Sequence, residues 1–245
     1  MFKFIYKEET DSTSNLARQM AEEGEGEWLV IVAERQTAGR GRRGKSFLSP
    51  EGGLYFSVIL KPMIKLENAY YITTAAAVAT VKAIKTVCKK ECGIKWVNDI
   101  YLNGRKVCGI LTEGVPEGDG FKFVILGIGI NIIPPEGGFD DEIKDIAGAL
   151  FDKCENIAEI KEKLLKEILS EFDKYYKNIN DKSFIEDYKA FSIMEGKKIT
   201  VHRADGEYAA TVLKLDDNCN LLIQKENGEK ELLSSGEISI KISGQ

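Results

Sequence analysis

The sequence predicts an α/β protein of the α+β type with a small all-β unit at its C-terminal end. Apolar runs such as 28–33 and 54–60 have the length and composition of buried strands. Apolar residues recur at helical spacing across 68–90 and 158–178. From about residue 192 the pattern changes to short strands separated by Asp, Asn and Gly turns, which predicts domains at 1–191 and 192–245.

The first elements are a short strand, a capped helix and a buried strand. Phe2–Tyr6 has strand composition, and the polar run Thr10–Asn15 supplies N-cap residues for a helix that ends at Gly24. Trp28–Ala33 and Leu54–Leu60 are the next two strands. The helix across 68–90 is rich in alanine, which predicts close packing under a sheet.

A hairpin is predicted at Asn103-Gly104, because this dipeptide between two apolar runs is a strong short-range turn signal. Asn98–Leu102 and Lys106–Thr112 would then be antiparallel neighbours. The polar side chains of this stretch could converge on one region: Lys95, Asn98, Asp99 and Lys106. The same side chains would also suit an ordinary exposed hairpin.

Gly114–Gly120 is predicted to be a turn, and Phe121–Ile133 the core strand after it. Glycines inside a strand cost stability unless something must lie against the backbone, so Gly127 and Gly129 indicate a ligand or a bulge. A helix near 181–191 follows the one at 158–178. The last fifty or so residues, with strands near 198–202, 207–215, 220–225 and 230–242, predict a small SH3-like barrel.

Composition limits the class of protein. The 245 residues are 43% hydrophobic and 30% charged, as in ordinary globular proteins, and the net charge of −5 disfavours a general nucleic-acid or membrane-surface binder. The start of the sequence does not resemble a signal peptide, so a cytoplasmic location is expected. The five scattered cysteines suit free thiols. The single histidine, His202, lies far from the other candidate residues, which excludes a Ser-His-Asp or Cys-His site in the first domain.

The most unusual stretch is the glycine–arginine loop, here residues 39–50, in which three glycines alternate with three arginines. Glycine lets the backbone approach a ligand closely, and arginine binds carboxylates and phosphates through a planar fork of donors. Because like charges repel, we expect this loop to be mobile until an anion binds. A solvated basic loop would explain the arginines but not the interleaved glycines.

Two common motifs match the residue types of this loop but not the secondary structure that they require around it. Gly39-x-x-x-x-Gly44-Lys45-Ser46 fits the P-loop, and Gly39-x-Gly41-x-x-Gly44 fits the dinucleotide fingerprint. Both motifs need a strand running directly into the loop and a helix leaving it. Here the strand ends too early and Pro50 follows, so we interpret both matches as coincidental.

Three stretches together resemble the signatures of the biotin–protein ligases. They are Gly39–Gly44 with Ser49–Ser57, then Lys95-Trp96-x-Asn98-Asp99 with Gly104-Arg105-Lys106-x-x-Gly109-Ile110-Leu111, and then Gly127-x-Gly129-x-Asn131. The sequence departs from the family at four positions: Ser14 replaces asparagine, Lys45 replaces arginine, Phe47 replaces tryptophan and Val97 replaces proline. The resemblance implies a catalytic and a C-terminal domain without an N-terminal DNA-binding domain.

The resemblance also implies a fold and a reaction. The fold would be a mixed, largely antiparallel sheet with helices on one face, as in class II aminoacyl-tRNA synthetases, plus the barrel. Biotin would be activated by ATP and Mg²⁺ to biotinyl-5′-AMP and passed to a lysine of a biotin carboxyl carrier protein. No nucleic acid or membrane would be bound, and a homodimer is compatible with the family.

Individual roles follow from the same resemblance. The ureido end of biotin would be held by Ser12, Thr13, Gln36 and Arg40, and the slot shaped by Gly39, Gly109, Leu111, Gly127 and Gly129. Arg42 and Lys106 would face the carboxylate and the α-phosphate, with Asp99 as the third catalytic residue and the candidate Mg²⁺ ligand. The nucleotide would be contacted by Arg42, Arg43, Lys45, Phe47, Lys95, Asn98 and Asn131.

Two alternatives share this fold. A lipoate ligase uses the same adenylation chemistry but would lack an arginine-rich loop of this form. An octanoyl transferase uses a Cys/Lys pair, for which Cys108 and Lys106 would be the candidates.

Overall fold

The large sheet is built from seven strands. They are β1 Lys3–Thr10, β2 Leu29–Gln36, β3 Gly53–Leu60, β4 Gly93–Lys95, β5 Asp99–Leu102, β6 Arg105–Glu117 and β7 Gly120–Asn131. Their spatial order is β1-β2-β3-β7-β6-β5-β4. The first pair runs parallel and every other neighbouring pair is antiparallel. This computed structural model, which describes residues 1–203, 206–234 and 237–240, confirms the predicted mixed, largely antiparallel sheet.

In the part of the chain that the structure describes, four α-helices accompany the strands: α1 Thr13–Glu22, α2 Tyr70–Cys88, α3 Ile157–Tyr176 and α4 Phe184–Phe191. Successive strand residues point to opposite faces, and β2 is apolar on both. Val30 and Val32 join the main core with α2, α3 and α4, as the prediction of helices on one face requires. Leu29 and Ile31 face the other way, into a smaller core with α1. The short first helix therefore covers part of the second face, and the rest of that face remains open for a site.

The segment predicted to be a turn at Gly114–Gly120 is mostly strand. β6 continues to Glu117, and its pairing with β7 shifts register between Val115 and Pro116. Proline is tolerated there because β5 pairs with β6 only as far as Gly109, so no strand among the described residues pairs with the outer edge of β6 at that point. The turn prediction failed because it gave too much weight to glycine and proline.

A second, antiparallel sheet contains β8 Lys198–Arg203, β9 Gly206–Leu215, β10 Leu221–Lys225, β11 Lys230–Leu233 and β12 Glu237–Ile240. Its order is β11-β10-β9-β8-β12. The predicted all-β unit is confirmed. Asp205 of the predicted turn at 205–206, and the end of the predicted strand 230–242, lie outside the described residues.

The two sheets share a continuous core. Buried residues of the second sheet, such as Ile199 and Leu221, belong to the same apolar cluster as Ile94 and Tyr188. The Trp96 indole N–H also donates to the Cys219 carbonyl at 2.7 Å. Among the described residues, no helix is both long and apolar enough to cross a bilayer.

A polar cluster ties three helices together beneath the sheet. Lys82 on α2 donates to the Tyr175 hydroxyl at 2.6 Å and to Asp187 Oδ2 at 2.7 Å, and Tyr175 donates to the same Asp187 oxygen at 2.8 Å. Burial alone would raise the pKa of Asp187, but the hydrogen bonds from Lys82 and Tyr175 outweigh it and hold the pKa below its ordinary value. The cluster is therefore an ion pair at neutral pH.

Candidate active site

A cavity of about 330 Å³ opens on the face of the large sheet that α1 only partly covers. Its walls come from the start of α1, the glycine–arginine loop, β5, β6 and β7. Most sequence-predicted site residues line this cavity: Ser12, Thr13, Gln36, Arg40, Arg42, Arg43, Lys45, Phe47, Lys95, Asn98, Asp99, Lys106, Gly109, Leu111, Gly127 and Gly129. Residues from four separate stretches of sequence are thus brought together.

One end of the cavity is lined by the hydroxyls of Thr13 and Ser14 and the half-buried amide of Gln36, with the fully buried Ser57 hydroxyl next to them. The Thr13 hydroxyl lies 2.8 Å from the Ser57 hydroxyl, which lies 3.0 Å from the Ser14 hydroxyl. Gln36 Oε1 accepts from the Thr13 amide N–H at 2.8 Å, and its Nε2 donates to the Ser49 hydroxyl at 2.8 Å. Hydroxyls act as donors and acceptors, so this end suits a small polar ring with N–H and C=O groups.

Sequence reasoning missed Ser57 and did not place Ser14 at the site. Ser57 lies on β3 directly opposite Gly127, so strand alternation on the face of Gly127 could have found it. Ser14 directs its hydroxyl toward Gly127, where an added Cβ would lie 2.7 Å from that oxygen. Asn15 faces elsewhere and donates to Asp11.

The floor of the cavity is made of glycines on paired strands. Gly109 pairs with Gly129 and Leu111 with Gly127, so all four share one face. The Phe47 ring lies over two of them: a Cβ at Gly129 would be 2.5 Å from ring atom Cε1, and one at Gly109 would be 3.0 Å from Cε2. The glycines therefore leave space above the strands, as the sequence predicted, and in this structure the Phe47 ring lies in that space.

The glycine–arginine loop is folded as a small hairpin. Arg40 bridges to Ser46, and the Gly41 and Phe47 amides donate to Lys45 and Gly39 carbonyls at 2.7 and 2.8 Å. The chain then enters β3 rather than a helix, which agrees with rejecting the P-loop and dinucleotide motifs. The predicted mobility of the loop stays a prediction.

The other end of the cavity is cationic. Lys106 Nζ lies 2.7 Å from Asp99 Oδ1, and Arg42 Nη1 donates to Asn98 Oδ1 at 3.1 Å. Asn98 is itself fixed, because its Nδ2 donates to the Ile110 carbonyl at 2.8 Å. The hairpin that carries Lys106 turns at Asn103-Gly104, both with positive φ as the predicted turn requires. Such fixed cations can stabilise an anion that develops between them.

Comparison with known proteins identifies the family. The model of the biotin/lipoate A/B protein ligase family matches residues 6–131, and that of the biotin protein ligase C-terminal domain matches residues 196–241. The bifunctional ligase/repressor BirA of Bacillus spizizenii is 34% identical over 235 residues, covering 94% of this chain and 72% of that protein. This chain belongs to the biotin protein ligase family.

A solved structure and a further relative agree with this assignment. The biotin protein ligase of Aquifex aeolicus, in complex with biotin and ATP, matches with a TM-score of 0.80 at 30% identity, covering 98% of this chain and 99% of that one. The biotin–[acetyl-CoA-carboxylase] ligase of Mycobacterium tuberculosis is 26% identical over 239 residues, 94% of this chain and 86% of that protein. The family and fold predicted from the sequence motifs are confirmed.

Two predicted site residues do not line the cavity. A Cβ on Gly39 would lie 2.3 Å from the Phe47 carbonyl oxygen and 2.5 Å from the Ser49 hydroxyl, so this glycine lets the base of the loop pack closely. Asn131 is buried and donates to the Gly148 carbonyl at 2.9 Å. Their ligand-binding roles stay predictions.

A metal ion would find few protein ligands in this family member. Among the described residues, no group of three or more His, Cys, Asp or Glu side chains is placed to hold one. Mg²⁺ is often held by one or two carboxylates and by the phosphates of its nucleotide. Asp99, beside Lys106 in the cavity, is the carboxylate that fits this arrangement, and its role as a ligand stays a prediction.

Cys108 lies in the main core, away from the glycine floor. It is fully buried and pairs with Ile130, on the strand face opposite Gly109 and Gly129. Burial raises the pKa of its thiol well above the ordinary value. A neutral, buried thiol is a poor nucleophile, so the geometry disfavours the octanoyl transferase alternative.

Proposed function

We propose that this chain joins biotin to a lysine of a biotin carboxyl carrier protein in two steps. A carboxylate oxygen of biotin attacks the α-phosphorus of ATP, the bond to the β-phosphate breaks, and pyrophosphate leaves. The lysine amine of the acceptor then attacks the acyl carbon of biotinyl-5′-AMP. AMP leaves, an amide forms and the amine proton is lost to solvent.

The observation that carries this proposal is a single cavity with two chemically different ends. The Thr13 hydroxyl and the Gln36 amide, which line the cavity, suit the N–H and C=O groups of a ureido ring, and the buried Ser57 hydroxyl fixes Thr13. The cations Arg42 and Lys106 at the other end suit a carboxylate and a phosphate. A slot floored by glycines joins the two ends and admits a narrow acyl chain.

Each group has a physical task in the first step. Two anions must approach each other, and negative charge grows on the phosphate oxygens as the new bond forms. Lys106 and Arg42 would offset this charge, while Lys95, Arg43 and Lys45 add positive potential around the nucleotide. Asp99 would orient Lys106 and contribute to holding Mg²⁺ that arrives with ATP. The reaction needs no side-chain nucleophile.

The hydroxyl cluster also favours biotin over lipoate. Lipoate ends in an apolar dithiolane ring, which offers no N–H or C=O partner to the cavity-lining groups of Thr13, Ser14 and Gln36. Sites built to hydrogen-bond a substrate reject analogues that cannot return those bonds. The lipoate ligase alternative is therefore the weaker one.

Further parts of the proposal concern organisation and partners. We propose residues 1–191 as the unit that binds biotin and ATP and 192–245 as the second domain. The five free thiols support a reducing, cytoplasmic environment. The net charge of −5 supports the absence of nucleic-acid binding, and a homodimer remains a prediction from the family.

The test is the partial reaction without acceptor. Purified protein is incubated with MgATP and biotin, lipoate or octanoate, and the acyl adenylate and pyrophosphate are measured by mass spectrometry and a coupled assay. Biotinyl-AMP is expected in at least tenfold excess over the other adenylates. A carrier domain is then added, and its mass should rise by one biotinyl group. Pyrophosphate release driven by lipoate but not by biotin would refute the proposal.

A further inference from the structure

Glu113 is a half-buried carboxylate beside the cavity with no task in the reaction described above. It lies on β6, two residues beyond Leu111 and on the same face, where it reaches the glycine–arginine loop. Its side chain is 21% exposed, and Arg40 of the loop is its close partner, with Nη2 2.6 Å from Glu113 Oε1. The contact joins residues 73 positions apart in the sequence.

Arg40 contacts a second element at the same time. Its Nη1 donates to Asn15 Oδ1 at 2.9 Å, and Asn15 Nδ2 donates to Asp11 Oδ2 at 2.7 Å. The hydrogen bond from Asn15 is the main reason that the pKa of Asp11 lies below its ordinary value. One guanidinium therefore fastens the base of the loop to β6 and to the start of α1, next to the hydroxyl end of the cavity.

The environment of Glu113 makes this contact costly to break. Its second oxygen, Oε2, is buried and accepts no hydrogen bond from the described part of the chain. Among the described residues, the next cation after Arg40 is Arg18, with Nη2 3.9 Å from Oε1, beyond hydrogen-bond distance. If the loop lifted, Glu113 would lose its close donor while staying half-buried, and a carboxylate in that state is destabilised.

We propose that Glu113 is a positioning residue that holds the glycine–arginine loop closed over the cavity, acting through Arg40. The same loop carries Arg42 to Asn98 and Phe47 to the glycine floor, so releasing its base would misplace groups at both ends of the cavity. The consequence for the reaction rests on the proposed function: a loosened loop would let the activated intermediate escape before an acceptor arrives.

The test compares Glu113→Gln with two other variants. Glu117→Gln removes the same charge from an exposed position on the same strand and is the matched control. Glu113→Asp keeps the charge on a shorter side chain and should hold the loop in part, with rates between those of wild type and Glu113→Gln. Thermal unfolding of each variant is measured first. If Glu113→Gln does not fold, Glu113→Asp carries the comparison.

Two measurements follow on each variant. The first is the rate of tryptic cleavage after Arg42 or Arg43 in the ligand-free protein, read by mass spectrometry. The second is the rate at which preformed biotinyl-AMP leaves the enzyme into a chase of unlabelled biotin and ATP. Loss of a half-buried charge-assisted hydrogen bond should raise both rates by about tenfold in Glu113→Gln. Glu113→Asp should lie between it and wild type, and Glu117→Gln should match wild type.

Equal rates in wild type, Glu113→Gln and Glu113→Asp would overturn the proposal, as would equal increases in both glutamine variants. The cleavage measurement needs no chemistry, which separates this proposal from the proposed function. If wild type makes no biotinyl-AMP but cleavage still accelerates in Glu113→Gln, Glu113 holds the loop and the proposed reaction is wrong.

Discussion

Replacing Lys106 by alanine gives the sharpest prediction about chemistry. Lys106 is held at both its backbone and its side chain: its backbone N–H and C=O bond to Ile146 and Gly148 at 2.7 and 2.8 Å, and its ammonium pairs with Asp99 at 2.7 Å. Its side chain is 27% exposed, so water screens it only in part. A donor this well fixed needs little reorganisation when charge develops beside it.

The structure separates two costs of the substitution. Losing an ion pair with this exposure should cost about 1–2 kcal/mol of stability, between the values for surface and buried pairs. A domain stable by about 5–15 kcal/mol would remain folded. Losing a fixed donor at the transition state costs about 3–4 kcal/mol, or about 10²–10³ in rate. A rate loss of that size could not come from unfolding.

Single-turnover formation of biotinyl-AMP is the appropriate assay, because it excludes product release and the acceptor. Lys106→Ala should lose at least about a hundredfold. Lys106→Arg should recover part of the rate, since arginine keeps the charge but changes its reach and geometry. Lys122→Ala, at an exposed position on β7, is the matched control. A loss under about threefold in folded Lys106→Ala would place Lys106 outside the reaction and weaken the assignment of the hairpin.

Three further predictions test other parts of the structure. Cys108→Ser should keep adenylation within about threefold but lose about 1–3 kcal/mol of stability, because a hydroxyl replaces a buried thiol; loss of turnover in the folded variant would revive a cysteine nucleophile. Phe47→Ala should raise the KM for ATP about tenfold if the ring stacks on the adenine base. Calorimetry should show biotin binding unchanged or tighter, because the ring no longer occupies the space above the glycine floor. An unchanged KM for ATP would remove Phe47 from the nucleotide site. Asp187→Asn should cost about 1 kcal/mol at pH 7 after allowing for solvent screening. Because folding lowers the pKa of Asp187, its contribution to the free energy of unfolding is present above the ordinary pKa and is lost as pH falls through the folded-state pKa. The free energies of unfolding of wild type and variant, measured in urea, should therefore converge in acid. A difference that persists in acid would contradict the ion pair of Asp187 with Lys82.

Local sequence signals predicted much of this fold. The Asn103-Gly104 turn was correct because left-handed backbone at both positions is a property of those residues. The glycine floor was also accessible from sequence, since alternation along β7 puts Gly127 and Gly129 on one face. These inferences need no knowledge of distant contacts.

Contacts between distant segments were not predictable in the same way. The pairing of Arg40 with Glu113 depends on how far the loop folds back over β6, and no local pattern encodes that distance. The placement of Phe47 on the glycine floor has the same origin. Asn131 belongs to a ligase motif, yet its side chain bonds to the Gly148 carbonyl, because a buried amide must find partners close by.

The glycine floor also limits how this slot can change. Glycine has the smallest side chain available, so any single substitution at Gly109, Gly127 or Gly129 can only narrow the passage. The nearest contacts of an added methyl group are 2.5–3.0 Å away, and they are side-chain atoms of Phe47 and Ser14 rather than backbone. A larger residue at these positions should therefore either displace the side chain of Phe47 or Ser14 or reduce the size of the ligand that fits. Accepting a bulkier acyl chain would require changes elsewhere in the walls.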